Sequence, residues 1–183
     1  MNSEMPARVL VVDDNQVNID LLITMLERVG YETTTAENGV EALEAVAQAP
    51  PDLILLDINM PEMDGYEACK HLKADPATAE IPVIFISAMQ ETKDILRGFE
   101  VVGVDYIAKP FKYREVIARV NAHVSLYQQK QHIQAMREKE QEQYALMDAM
   151  RSQFIGSATH DLKNPLFVIS GYTDMLENLP ALE

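Results

Sequence analysis

Five polar residues sit where short apolar runs end. Asp13 and Asp14 follow "RVLVV" (8–12), Asp57 ends "PDLILLD", Ser87 ends "IPVIFIS" and Lys109 ends "VDYIAK". If those runs are parallel strands, all five converge on the carboxyl edge of one sheet, where open α/β sheets bind ligands. Three carboxylates gathered there repel one another and do not all stay ionised without a counter-charge. A divalent cation relieves that repulsion, and hard oxygen ligands suit Mg²⁺. Lys109 adds a second positive charge and Ser87 a hydroxyl. The set describes a receptacle for a small oxyanion, with an aspartate placed as nucleophile. The acid pair alone reads equally well as a cap for the next helix; the five positions together do not.

The elements that must position these residues alternate. "QVNIDLLITMLERVG" places Val17, Leu21, Leu22, Met25, Leu26 and Val29 at helical spacing, with Gly30 as its stop. "YETTTA" is β-rich, "GVEALEAVAQA" helical, and "GYEACKHLKAD" a helix ending near Pro76. "TKDILRGFEVVG" predicts one more helix before the last strand. Continuous apolar runs such as Leu53 to Leu56 and Val83 to Ile86 read as strands buried on both faces. The expectation is a (βα)5 doubly wound, flavodoxin-like α/β fold with a five-stranded parallel sheet. Gly65 is expected to supply a positive φ after Asp57, and Pro61 to stiffen that loop.

Beyond Lys112 the pattern changes. No proline or glycine occurs between Pro110 and Gly156, and Gln, Glu, Lys, Arg, Ala and Met dominate. Met136, Tyr144, Met147, Met150 and Phe154 fall near a three–four spacing, interrupted at Glu140 and Gln143. So thin a stripe cannot bury itself on one helix. It predicts a coiled-coil seam, parallel or antiparallel, and hence a homodimer. The domain expectation is therefore 1–125 for the α/β unit, 126–153 for a coiled-coil linker continuous with its last helix, and 154–183 for a further helical element.

Bulk properties narrow the function. The formal net charge of -14 argues against a phosphate-backbone binder, so no nucleic-acid partner is expected. One cysteine, Cys69, excludes an internal disulfide. No apolar run reaches the length of a membrane span, and the start lacks a signal-peptide pattern, so the expected location is cytoplasmic.

The succession "VVDDN", "LLDINMPEMDGYE", "FISA", "DYIAKPF" resembles the receiver domain of two-component response regulators over about residues 6 to 125. The resemblance implies phosphoryl transfer from a histidine kinase or phosphotransfer protein to Asp57, with Mg²⁺ as cofactor. Asp14 would bind the metal directly, with Asp13 holding it through water or sharing it. Asp57 and the backbone carbonyl of Asn59 would complete the protein ligands. Lys109 would pair with the phosphoryl oxygens, Ser87 would hydrogen-bond the new phosphate, and Tyr106 would swing inward as a switch. Pro110 suggests a cis bond after Lys109. Met89 and Asn59 would flank the phosphoryl group.

Near the end, "ATHDLKNPLFVIS" carries a histidine, an acid, a base, Asn and Pro in close order. It resembles the phosphoacceptor box of histidine kinases, on the first helix of a dimerising bundle. The resemblance implies His160 as a second phosphoacceptor, Asp161 as base or imidazole orienter, and Asn164 as positioner of a water. Pro165 would bend the helix one turn past the histidine. Leu162, Leu166, Ile169 and Leu176 lie near one face, which turns His160 away toward solvent.

The chain ends soon after Pro180 with no ATP-binding domain in view. The expectation is the amino-terminal part of a receiver-led hybrid histidine kinase, with receiver state transmitted through the helix to His160. Two other readings stand beside it. One is a complete short dimeric relay or scaffold without kinase activity. The other is a Mg²⁺-dependent aspartyl-phosphate phosphatase, whose nucleophile would follow strand one rather than strand three.

Overall fold

The computed structural model describes residues 6–88 and 105–177, with the side chains of 88, 154 and 156–177 excepted. The chain divides into two units, Met1–Gln131 and His132–Glu183.

The first unit holds a five-stranded parallel sheet in the order β2-β1-β3-β4-β5, made of β1 (Arg8–Val12), β2 (Glu32–Ala36), β3 (Leu53–Asp57), β4 (Val83–Ala88) and β5 (Asp105–Lys109). Every adjacent pair is parallel. β3 is buried at all its positions, as its unbroken apolar run requires, whereas β2 at the sheet edge alternates threonines with little burial. The doubly wound α/β expectation holds.

Helices α1 (Gln16–Glu27), α2 (Gly39–Gln48) and α3 (Gly65–Ala74) each begin at a side-chain cap: Asn15, Asn38 and Asp64 accept from Val17, Glu41 and Glu67 amides respectively. The cap of α1 is thus Asn15, not the acid pair before it. The helix expected over residues 92–103, and Met89, lie outside the described residues.

Two apolar layers sandwich the sheet. On one face α2 and α3 bury Ala42, Val46, Ala68, Cys69 and Leu72 against Leu10, Val12, Ile54, Leu56 and Phe85. On the other, α1 contributes Ile19, Leu22 and Leu26, and the long C-terminal helix contributes Val116, Val120 and Val124. The α1 stripe differs from expectation. Val17, Leu21 and Val29 are exposed, and Ile19, absent from the expected row, is buried. A contact stripe on one short helix is narrower than the spread of its apolar residues.

The long helix runs Tyr113–Glu177. Helical backbone continues through Gly156 and Pro165, so the proline does not end it. Its first turns are tied to the sheet by side chains: Arg119 and His123 reach Asp105 at the start of β5, and Tyr31 donates its hydroxyl to Asn121 Oδ1 at 2.7 Å.

Candidate active site at the sheet edge

The register of the parallel strands brings the site together. Val12 lies level with Leu56, Asp57 with Ile86, and Ala88 with Lys109. Asp13 and Asp14 therefore leave β1 beside the end of β3, and Lys109 closes β5 one strand beyond β4. Carboxylate oxygens of Asp13, Asp14 and Asp57 lie within 4.8 Å of one another. Lys109 Nζ bridges two of them, 2.7 Å from Asp57 Oδ1 and 2.9 Å from Asp13 Oδ2.

The charges in this cluster do not balance. Burial pushes Asp57 above the ordinary carboxylate range; Lys109 opposes that shift, and Asp13 and Asp14 reinforce it. Lys109 moves the other way in charge terms. Burial alone would lower it, but bonds to Asp57 and Asp13 hold it above the usual lysine value. The ammonium is thus favoured as a cation while Asp57 is disfavoured as an anion. Burial is the first cause, and one ammonium, bridging two of the three carboxylates, does not offset it. Two negative charges stay uncompensated, the charge a single divalent cation carries. Three hard oxygens within one coordination sphere's reach also suit Mg²⁺ in ligand type, so these residues fit the metal.

The three acids are not equivalent. Asp13 is fully buried and already saturated: Oδ1 accepts from the Asn15 amide at 3.0 Å and from Asn18 Nδ2 at 2.9 Å, and Oδ2 accepts from Asn18 Nδ2 at 3.0 Å as well as from Lys109. Asp14 is exposed and stands at the open side. Asn18 was not among the residues singled out from sequence. Its signal was a second asparagine in "DDNQVN", one helical turn beyond the cap and so within reach of the acid pair.

Ser87 lies level with Ala108 in β5, one residue from the Ala88–Lys109 pair, so it belongs to the same edge. Asn59 is exposed in the loop after Asp57. Tyr106 is half-buried and stacks on Phe85, ring centroids 5.5 Å apart, and Phe85 in turn meets Tyr66 at 5.1 Å. The ring is therefore already turned against the α3-side core. The Lys109–Pro110 bond is cis, as the sequence suggested.

The loop after Asp57 corrects one expectation. Gly65 does not supply a positive φ; Glu62 does, at 65°. Gly65 matters for space, because a Cβ there would stand 2.2 Å from the Asp57 carbonyl oxygen. Its amide donates to Ile58 O at 3.0 Å, which pins the N-terminus of α3 under the end of β3. Gly39 is similarly tight, since a Cβ would meet the Met63 side chain at 2.7 Å.

His160, Asp161 and Asn164 lie on helical backbone within Tyr113–Glu177, and their side chains fall outside the described residues, as does the solvent-facing direction expected for His160.

Parallel sheet, acid pair, strand-end aspartate and bridging lysine together mark a receiver-type α/β domain. The response regulator receiver domain matches residues 9–121, and the chain belongs to that family. The His Kinase A (phospho-acceptor) domain follows at residues 150–183. Among curated relatives, the response regulator PleD of Caulobacter vibrioides is 43% identical over 118 residues, covering 64% of this chain and 26% of that protein. The DNA-binding dual master transcriptional regulator RpaA of Synechocystis sp. is 38% identical over 115 residues, covering 63% and 48%. The chain thus spans about half or less of the length of these relatives. A receiver domain of a signal transduction histidine kinase from Syntrophus aciditrophicus is 36% identical with a TM-score of 0.62, covering 65% of this chain and 90% of that one. The receiver domain of sensor histidine kinase PA1611 from Pseudomonas aeruginosa PAO1, solved with a magnesium ion coordinated in its active site cleft, is 29% identical at TM-score 0.62, covering 66% and 98%. The two matched domains make this a two-component signalling chain. Among the described residues, no helix is long and apolar enough to cross a membrane.

Proposed function

We propose that this chain accepts a phosphoryl group on Asp57 from the phosphohistidine of a histidine kinase or phosphotransfer protein, in the cytoplasm. An Asp57 carboxylate oxygen forms the new O–P bond as the N–P bond to the donor imidazole breaks, and the departing imidazole takes a proton from water. Such a transfer makes little demand for covalent chemistry and a large demand for charge neutralisation on the transferred oxygens. The observation that carries the reading is the ammonium of Lys109 held 2.7 Å from Asp57 at a three-carboxylate edge. Lys109 is placed to follow the incoming phosphoryl oxygens, and Ser87 to donate to them.

Mg²⁺ would be held by Asp14 and Asp57, by the Asn59 carbonyl, and by Asp13 directly or through water. Bound there it would neutralise phosphoryl charge from the side opposite Lys109. The saturation of Asp13 by Asn18, Asn15 and Lys109 favours the water-mediated role for that residue.

The receiver occupies 1–125, a coiled-coil linker 126–153 and a kinase-type phosphoacceptor helix 154–183. In this reading the chain is the leading part of a receiver-led hybrid histidine kinase, with His160 as second phosphoacceptor, Asp161 orienting its imidazole and Asn164 positioning water. Pairing of the exposed helix makes a homodimer. The phosphorylated receiver, with Tyr106 as its switch, signals through the long helix to His160. Incubation of the chain with a small-molecule phosphodonor and Mg²⁺ tests the reading. One phosphoryl group per chain, mapped to Asp57 and absent from Asp57→Asn, is expected. Repeated turnover of the donor without a labelled Asp57 would overturn it in favour of a phosphatase.

A further inference from the structure

Asn18 reaches the acid edge from α1 and has no part in the transfer described above. It lies in the first turn of that helix, where its backbone amide donates to the Asn15 carbonyl at 2.9 Å. Ile19 beside it and Leu22 one turn on are buried against the sheet, so packing fixes where the Asn18 side chain starts. Its amide nitrogen stands 2.9 Å from Asp13 Oδ1 and 3.0 Å from Asp13 Oδ2.

A carboxylate offers about four lone-pair sites. On Asp13, Oδ1 also accepts from the Asn15 amide at 3.0 Å, and Oδ2 from Lys109 Nζ at 2.9 Å. Two donors on each oxygen leave no lone pair for an ion, although an Asp13 oxygen lies within 4.8 Å of oxygens of Asp14 and Asp57. Asn18 is therefore what separates Asp13 from its two neighbours as a ligand. Take that amide away and each oxygen regains an open site, on a carboxylate buried where water reaches it poorly. A cation bound beside it would then be the strongest partner within reach.

Resting on the reading of Asp57 as a phosphoacceptor beside Mg²⁺, we propose that Asn18 is a positioning residue that keeps Asp13 off the metal and turned toward Lys109. One carboxylate then serves the lysine, and Asp14 and Asp57 serve the ion. The division costs metal affinity, which grows with the number of direct carboxylates. In return the ammonium keeps a second anchor that aims it at Asp57 Oδ1, 2.7 Å away. A residue that merely satisfied a buried carboxylate predicts the opposite sign, because losing such an outer partner ordinarily weakens metal binding by about 10–100-fold.

Asn18→Ala, and Asn18→Leu, which keeps the volume and drops the donor, test this in the full chain. Mg²⁺ affinity, read by titration calorimetry and from the rise of the thermal midpoint, should tighten about tenfold in both variants. Labelling of Asp57 by a small-molecule phosphodonor at saturating Mg²⁺ should slow about tenfold, as misaiming a positioned group does. Tighter metal with slower labelling is a combination that lost packing does not produce. Mg²⁺ affinity unchanged or weakened in the variants would overturn the proposal, and so would labelling as fast as in the parent. The parent alone supplies a second measurement should the variants not fold. Followed by heteronuclear NMR through a Mg²⁺ titration, the Asn18 side-chain amide should keep its hydrogen-bonded shift and slow exchange. Loss of that signature as the ion binds would show Asp13 turning to the metal and overturn the proposal. A parent that takes up no Mg²⁺ removes the metal reading itself and this role with it. A parent that binds Mg²⁺, with variants that bind it no more tightly, removes only the role of Asn18.

Discussion

The sheet edge around Asp57 and the helix around Met147 are opposite solutions to the same difficulty, groups that one chain cannot satisfy alone. At the edge the unsatisfied quantity is charge. Three carboxylates share one ammonium, and the surrounding strands hold them together against their repulsion. On the helix it is apolar area, left open along a single rod. The first is rigid and calls for a small ion; the second is exposed and calls for a surface. The edge should therefore respond sharply to single substitutions and the helix weakly, unless its partner is being measured.

The largest expected effect breaks the edge outright. Asp57→Asn should remove phosphoryl incorporation completely in an intact-mass assay, whereas His160→Gln should leave incorporation at Asp57 from a small-molecule donor unchanged. Lys109→Ala should slow labelling by about 10²–10³-fold, the usual loss when a preorganised charge is removed from a transferring group. That rate, followed by stopped-flow mixing with phosphodonor, should not be restored by added Mg²⁺ if lysine and metal serve different oxygens.

Stability effects come next. Gly65→Ala places a methyl 2.2 Å from the Asp57 carbonyl and should cost about 1–3 kcal/mol in urea unfolding, as overpacking does. Asn18→Ala strips from buried Asp13 the one amide nitrogen that reaches both its oxygens and should cost about 1.5 kcal/mol. At the small end, Met147→Gln should leave receiver unfolding within about 0.5 kcal/mol of the parent, because its side chain is open to solvent.

The pH dependence sharpens the same contrast. Asp57 is raised above the ordinary carboxylate value, chiefly by burial. Its contribution to stability is therefore fully present below the unfolded-state value and lost as pH rises through the folded-state value. Asp57→Asn should melt higher than the parent at neutral pH and lose that advantage on acidification. Labelling should fall as the solution is acidified toward the raised value, because the protonated carboxyl is no nucleophile.

Much of this site was readable from residue order because parallel strands turn sequence position into spatial position. A polar residue at the end of an apolar run must arrive at the shared edge, so Asp13, Asp14, Asp57, Ser87 and Lys109 announced themselves. What stayed hidden depends on rotation and distance rather than on strand ends. The buried face of α1 is centred on Ile19, Leu22 and Leu26, a choice set by the sheet beneath and invisible among seven apolar residues of one helix. Gly65 looked like a turn glycine, yet its reason is the nearness of a carbonyl that only the folded loop reveals. Asn18 is one polar residue among several on α1 by sequence, and only the fold sets its amide on Asp13. Pro165 was expected to bend the helix, and helical backbone continues past it.

The uncompensated charge at this edge calls for a divalent cation. Thermal unfolding of the chain across a Mg²⁺ series measures it. The midpoint of the parent should climb with Mg²⁺, by the equivalent of about 1.4 kcal/mol at ten times the dissociation constant, and stay nearly flat in Asp57→Asn and Asp14→Ala. A parent midpoint that ignores Mg²⁺, or a climb of equal size in both variants, would contradict it.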